Sequence, residues 1–116
     1  MPKTLPVKEN EGYLDAMSLR GKKLALLVAA APDQPGFRHG MRIAEAATAE
    51  GVDVYLYCID DAVAGVEELA ATGVKLFACA DSAQRRHLPM HPRATYAGLA
   101  LLSNLIAATD RFVSFS

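Results

Sequence analysis

The chain has 116 residues, 52% of them hydrophobic and 22% charged, with a formal net charge of −1. That is the length of one domain, enough to bury a core without disulfides or a structural metal. The near-neutral balance excludes a protein held by charge to nucleic acid or to an anionic membrane, and with no Trp and basic pairs only at Lys22-Lys23 and Arg85-Arg86 there is no aromatic-lined basic stripe for base stacking.

Residues 1–21 mix charge, Pro and Gly with little periodicity. They read as an N-terminal arm or tail, with a helical turn near Tyr13–Leu19, ahead of one domain over residues 22–116. Met1–Asn10 is polar and carries two prolines, unlike a secretory signal, and the longest apolar run, Leu24–Ala31, is too short to span a bilayer. Leu24–Ala30 is apolar without alternation, the pattern of a central parallel strand buried on both faces. Pro32, Pro35 and Gly36 mark a loop. A helix is expected over Phe37–Glu50, with Phe37, Met41, Ala44 and Ala47 on one face, stopped by Gly51.

Val52–Cys58 is rich in β-branched and aromatic residues and reads as the second strand. Asp60-Asp61 is expected to cap a helix over Ala62–Ala71, closed by Thr72-Gly73. Val74–Cys79 is the third strand. Asp81, with Gln84 three residues on, predicts an N-cap for a short helix reaching Arg86 or His87. Pro89 and Pro92 break the next stretch, leaving room for a short extended segment. Thr95–Ala108 reads as a helix apolar almost all round, hence covered on more than one side, the second cover being another subunit. Arg111–Phe115 is the last strand. The alternation predicts an α/β fold: a flavodoxin-like parallel sheet of four to five strands, with right-handed crossovers and helices on both faces.

Sites in such sheets form at the carboxyl ends of the strands. Cys79 ends the third strand and precedes a helix start, where backbone N–H groups favour a thiolate. Arg85 and Arg86 would add positive charge, Ser82 belongs to the same rim segment, and Asp81 opposes. The alternative is that Cys79 simply packs, as free cysteines commonly do; Cys58, after Val-Tyr-Leu-Tyr, reads as core. His39, in the first turn of the first helix, faces the same rim and is either a proton partner for the thiol or a solvated helix-start residue. The other familiar chemistries are missing: the 30–36 loop has one glycine, there is no GxSxG elbow, and Pro89 between His87 and His91 forbids a helical zinc face. No metal and no cofactor are expected. Two cysteines make no disulfide framework, so free thiols in a reducing compartment, the cytoplasm, are expected.

Four pieces, in this order, carry a family resemblance. They are Ala44–Gly51 with Val52–Tyr57, Gly73–Cys79, Ala83–Arg86, and Leu102–Ala108 running into Asp110–Phe115. Over residues 22–116 the chain resembles the DsrE-like family, which includes the TusD-type sulfur-relay subunits. The resemblance implies a DsrE-like α/β fold and assembly into homo-trimers or hexamers. It also implies a persulfide on the strand-end cysteine, matched here by Cys79, passed from a sulfur donor to an acceptor protein. The sequence departs from that pattern at His87, where glycine is common, in the compressed stretch Leu88–Thr95, and in residues 1–21. Two rivals stand beside sulfur relay. One is a non-catalytic oligomeric module that binds a small ligand or a protein, with Cys79 structural. The other is a redox switch joining Cys58 to Cys79.

Overall fold

The computed structural model describes residues 19–116. The expected arm lies outside the described residues except for Leu19, Arg20 and Gly21. Five strands form the sheet: β1 (Lys23–Val28), β2 (Asp53–Cys58), β3 (Lys75–Cys79), β4 (Ala94–Ala97) and β5 (Arg111–Phe115). All neighbours are parallel, in the order β4-β3-β2-β1-β5. The connections are helix α1 (Pro35–Ala49), a 3-10 turn (Asp60–Gly65) leading into α2 (Val66–Ala70), α3 (Ala80–Arg85) and α4 (Leu99–Ala108). The expected parallel α/β fold is the one observed.

The order explains the layering. From β1 to β4 the chain steps one strand at a time in one direction, so right-handed crossovers put α1, α2 and α3 on one face. The last connection returns past β1 to the opposite edge, which sends α4 across the other face. Two cores follow from the period-two pleat. The first packs Leu26, Val28, Val54, Leu56, Cys58, Leu76 and Ala78 beneath Phe37, Ala44, Val63, Val66 and Leu69. The second packs Ala25, Tyr57 and Cys79 against Leu105, with Leu101, Leu102 and Phe77 at its margin. Leu26 and Leu56 are fully buried, each stabilising the fold by roughly 1.5–3 kcal/mol.

Some expectations on local structure change. The segment expected to be a helix from Thr95 first forms β4, whose four residues pair with Leu76–Cys79, and Gly98 then starts α4. Pairing with β3 outweighs the helix propensity of a short apolar stretch. Nor is α4 buried on several sides within the chain: Leu105 is buried, Leu101 and Leu102 are half-buried, and Leu99 and Ile106 are exposed. The helix expected over Ala62–Ala71 is a 3-10 turn and five α-helical residues, and its N-cap is Ile59, without a side-chain cap, rather than Asp60-Asp61.

Helix ends follow their sequence signals. Gly51, at φ 84°, lets Val52 N–H reach the Ala47 carbonyl at 3.0 Å and closes α1. The same closure ends α3, where Leu88 N–H reaches the Ala83 carbonyl at 3.0 Å and the left-handed residue is His87, at φ 55°. A glycine would hold this conformation without steric cost, which gives the His87 departure a physical meaning. Gly65 serves by close approach instead: a Cβ there would overlap the Phe37 ring edge (Cζ, and Cε2 at 2.7 Å) and meet Pro32 Cγ at 3.0 Å. Gly65→Ala is expected to destabilise the protein by about 1–3 kcal/mol through overpacking. Urea unfolding would show the midpoint fall with an unchanged slope.

Candidate functional site

Strand β3 runs straight into α3, and Cys79 is the residue at the junction. The N-cap of α3 is Cys79 itself, not Asp81: its Sγ accepts the Ser82 N–H at 3.4 Å. Asp81 is the second residue of the helix, within its first turn, where its carboxylate takes the Arg85 guanidinium at 2.8 Å. The sulfur therefore meets the free N–H groups of the first turn directly.

Ser82 is 4% exposed, and its Oγ accepts the Asp60 N–H at 2.9 Å. Asp60 is left-handed, at φ 55°, a conformation Asp tolerates better than most residues, and it turns that N–H toward Ser82. Because the oxygen accepts from Asp60, the hydroxyl proton is left to donate, and Ser82 next to the sulfur lowers the Cys79 thiol. Burial by itself raises the Cys79 thiol. Hydrogen bonds from the Ser82 hydroxyl, the Ser82 N–H, the Tyr57 hydroxyl and the Asp81 N–H more than offset it, holding the thiol below its ordinary value. Cys58 has no such offset: it is fully buried, and burial pushes its thiol up to about 12.

The structure brings only some of the expected residues together. Ser82 touches Cys79. Arg85 is exposed and bound to Asp81. Arg86 pairs with Asp61 at 2.8 Å and donates to the Ser82 carbonyl at 3.1 Å, so it braces α3 against the 3-10 turn. His39 is exposed on α1 and lines a separate hollow of about 300 Å³ with Asp33, Gln34, Pro35 and Arg38. Helix α1 covers the face opposite the Cys79 side chain. A larger hollow of about 420 Å³, lined among others by Leu19, Leu24, Ile43, Val52 and Arg111, opens where β1 and β5 begin, at the end of the sheet away from Cys79.

Cys58 and Cys79 belong to opposite faces. Cys58 pairs in register with Ala78, whose neighbour Cys79 points the other way. Their Cβ vectors diverge, so a disulfide between them requires the sheet to come apart; this removes the redox-switch reading. Among the described residues no cluster of His, Cys, Asp or Glu is arranged to hold a metal, and no helix is long and apolar enough to cross a membrane.

Two participants were not anticipated from the sequence: the Asp60 N–H, a backbone group, and Tyr57. The available signal for Tyr57 was its place in a strand run, since a phenol buried in a core needs a partner for its hydroxyl.

No family model matches the chain, and no curated protein matches it. The crystal structure of the YchN protein from E. coli, of DsrE/TusD-like fold, matches with a TM-score of 0.70 at 19% identity, over 81% of this chain and 99% of that one. At that identity the likeness shows the fold, which is the DsrE-like α/β fold.

Ser82→Ala removes the acceptor of the Asp60 N–H and a donor to the sulfur together. It is expected to destabilise the protein by about 1–3 kcal/mol and to move the pH midpoint of Cys79 alkylation upward. An unchanged midpoint, read by peptide mass spectrometry across pH, would show that the hydroxyl does not act on the thiol.

Proposed function

We propose that the protein carries sulfane sulfur as a persulfide on Cys79 and passes it to a partner protein. The observation that supports this best is that Cys79 caps α3, its Sγ accepting the Ser82 N–H at 3.4 Å, in surroundings whose donors hold the thiol below its ordinary value despite burial. They favour the thiolate, the form that attacks sulfur.

The chemistry balances without a cofactor. The Cys79 thiolate attacks the outer, sulfane sulfur of a donor R–S–S⁻ or R–S–SH. The donor's S–S bond breaks, R–S⁻ leaves with the electron pair, and Cys79 now bears the persulfide. An acceptor thiolate then attacks the outer sulfur, and Cys79 departs as a thiolate. No net oxidation occurs. Both half-reactions have the Cys79 anion at one end, so a site that stabilises it serves both. Thiol chemistry of this kind fits a reducing compartment such as the cytoplasm. Assembly of copies of the chain into a trimer or hexamer belongs to the same reading, and the exposed Leu99, Ile106, Phe112 and Val113 support it.

One observation favours the rival, a non-catalytic module with Cys79 as part of its packing: the residue is 5% exposed. On that reading the thiol resists reagents until the protein unfolds.

The deciding experiment is intact mass spectrometry after incubation with polysulfide, comparing wild type with Cys79→Ser and Cys58→Ser. Sulfur carriage predicts a gain of about 32 Da, one sulfur on a reactive thiolate. The gain should be absent in Cys79→Ser, retained in Cys58→Ser and reversed by dithiothreitol. Wild type left unmodified, with Cys79 alkylated only in denaturant, would establish the structural role instead.

A further inference from the structure

Tyr57 is fully buried on β2, on the α4 side of the sheet. In register it stands beside Phe77 of β3, and Phe77 in turn stands beside Thr95 of β4. Its hydroxyl nevertheless donates to the carbonyl of Ala97, two residues further along β4, at 3.0 Å. To get there the ring crosses the width of β3, over a β2-to-β4 separation of roughly 10 Å. Ala97 is also the register partner of Cys79. The phenol therefore runs diagonally between Phe77 and Cys79, on the face to which Cys79 projects, and its hydroxyl ends at the carbonyl of the residue paired with Cys79, in the core that Tyr57 and Cys79 share.

A phenol has one proton to donate, and two acceptors compete for it here. A neutral thiol is a weak acceptor, so the proton stays on the Ala97 carbonyl. An anionic sulfur is a stronger acceptor than a carbonyl, because hydrogen bonds to charged groups are roughly twice as strong as neutral ones. Tyr57 itself stays protonated, since burial first and then the neighbouring sulfur push its hydroxyl well above the ordinary tyrosine value. The other titratable or charged side chains on the elements around Cys79 have other partners or positions. Tyr55 packs at the margin of this core but its hydroxyl donates to Asp53, which also holds Lys75; Tyr96 packs on the opposite face and accepts the His91 N–H; Asp81 is held by Arg85 and Asp61 by Arg86; Asp60 is exposed, and Cys58 lies across the sheet. Helix α4 presents Leu101, Leu102 and Leu105 to this core.

We propose that Tyr57 is the switching hydrogen-bond donor of the site: its hydroxyl rests on the Ala97 carbonyl while Cys79 is neutral and turns to the sulfur when Cys79 is a thiolate, stabilising it as attacking and as leaving group. The inference rests on Cys79 as the reacting thiol, and it adds a residue that touches the reacting atom. No proton is transferred; one hydrogen bond is exchanged for a stronger one.

The test is Tyr57→Phe, which keeps the ring and removes the hydroxyl. Thiolate ultraviolet absorbance is titrated from about pH 5 to 9, as the difference from Cys79→Ser in each background, so that access of a reagent to the buried sulfur does not enter. The expected result is a midpoint shifted upward, with about tenfold less thiolate at neutral pH. A midpoint unmoved or moved downward overturns the proposal. Because the substitution also orphans the Ala97 carbonyl and can weaken the fold, a second measurement uses the wild-type side chain. The ¹³Cζ resonance of Tyr57 should titrate with the Cys79 midpoint and lose that transition in Cys79→Ala; a resonance flat across the Cys79 titration overturns the proposal as well. Failure of polysulfide loading in wild type, with the Tyr57→Phe shift intact, would instead end the sulfur-carrying reading and leave Tyr57 its role on the thiol.

Discussion

A sheet made only of parallel strands has two apolar faces, and both must be kept from water. The described residues cover them unequally. Among them, helices α1, α2 and α3 lie over one face, while the other has the single ten-residue α4. Much else follows from that imbalance. Tyr57 fills space on the thinly covered side, where a long side chain can lie along the sheet. Cys79 ends up beneath the return helix rather than beneath the thicker layer. The apolar residues left in the open, Leu99 and Ile106 on α4 and Phe112 and Val113 on the edge strand β5, belong to the elements of the fourth crossover.

The thiol site is a contest between two large and opposed effects. Taking a sulfur out of water disfavours its anion. Donors aimed at the same sulfur favour it, and they are more effective because water is scarce there. The two cysteines form a natural comparison. Each ends a strand, each is buried, and each is followed by a helical segment. Cys79 caps its helix and gathers donors, whereas Cys58 is separated from the next turn by Ile59 and gathers none from side chains. One residue of chain between strand and helix divides a thiol held below its ordinary value from one pushed above it.

The layered parallel fold was legible because each strand except β4 is a plain apolar or β-branched run and helices α1 to α3 each have a stop signal: Gly51, Gly73, and the pair of prolines after His87. Strand β4 was not legible, since Ala-Thr-Tyr-Ala is stabilised by its register with β3 and has no period of its own. Cys79 stood out through its position at a strand end. Its surroundings were hidden for two separate reasons. The Asp60 N–H is a main-chain group whose direction depends on one left-handed residue, and Tyr57 acts at a distance of two strands, a reach that no linear spacing encodes. Arg85 and Arg86 were attractive candidates by proximity in sequence, yet each has a carboxylate partner closer at hand.

On the sulfur-carrying proposal, the placement of the two cysteines on opposite faces bears on how long a persulfide would survive on Cys79. A persulfide is vulnerable to any thiol that can reach its inner sulfur, because that attack expels hydrosulfide and leaves a disulfide. A second cysteine on the same face, one strand away, would be an internal thief, discharging the cargo before any acceptor arrived. Here the sheet stands between them. Self-discharge within one chain is sterically closed, and so is self-repair: a Cys79 sulfenate would find no resolving thiol in its own chain and would depend on one from outside. On that proposal, retention of cargo and dependence on an outside thiol would both follow from the same pleat.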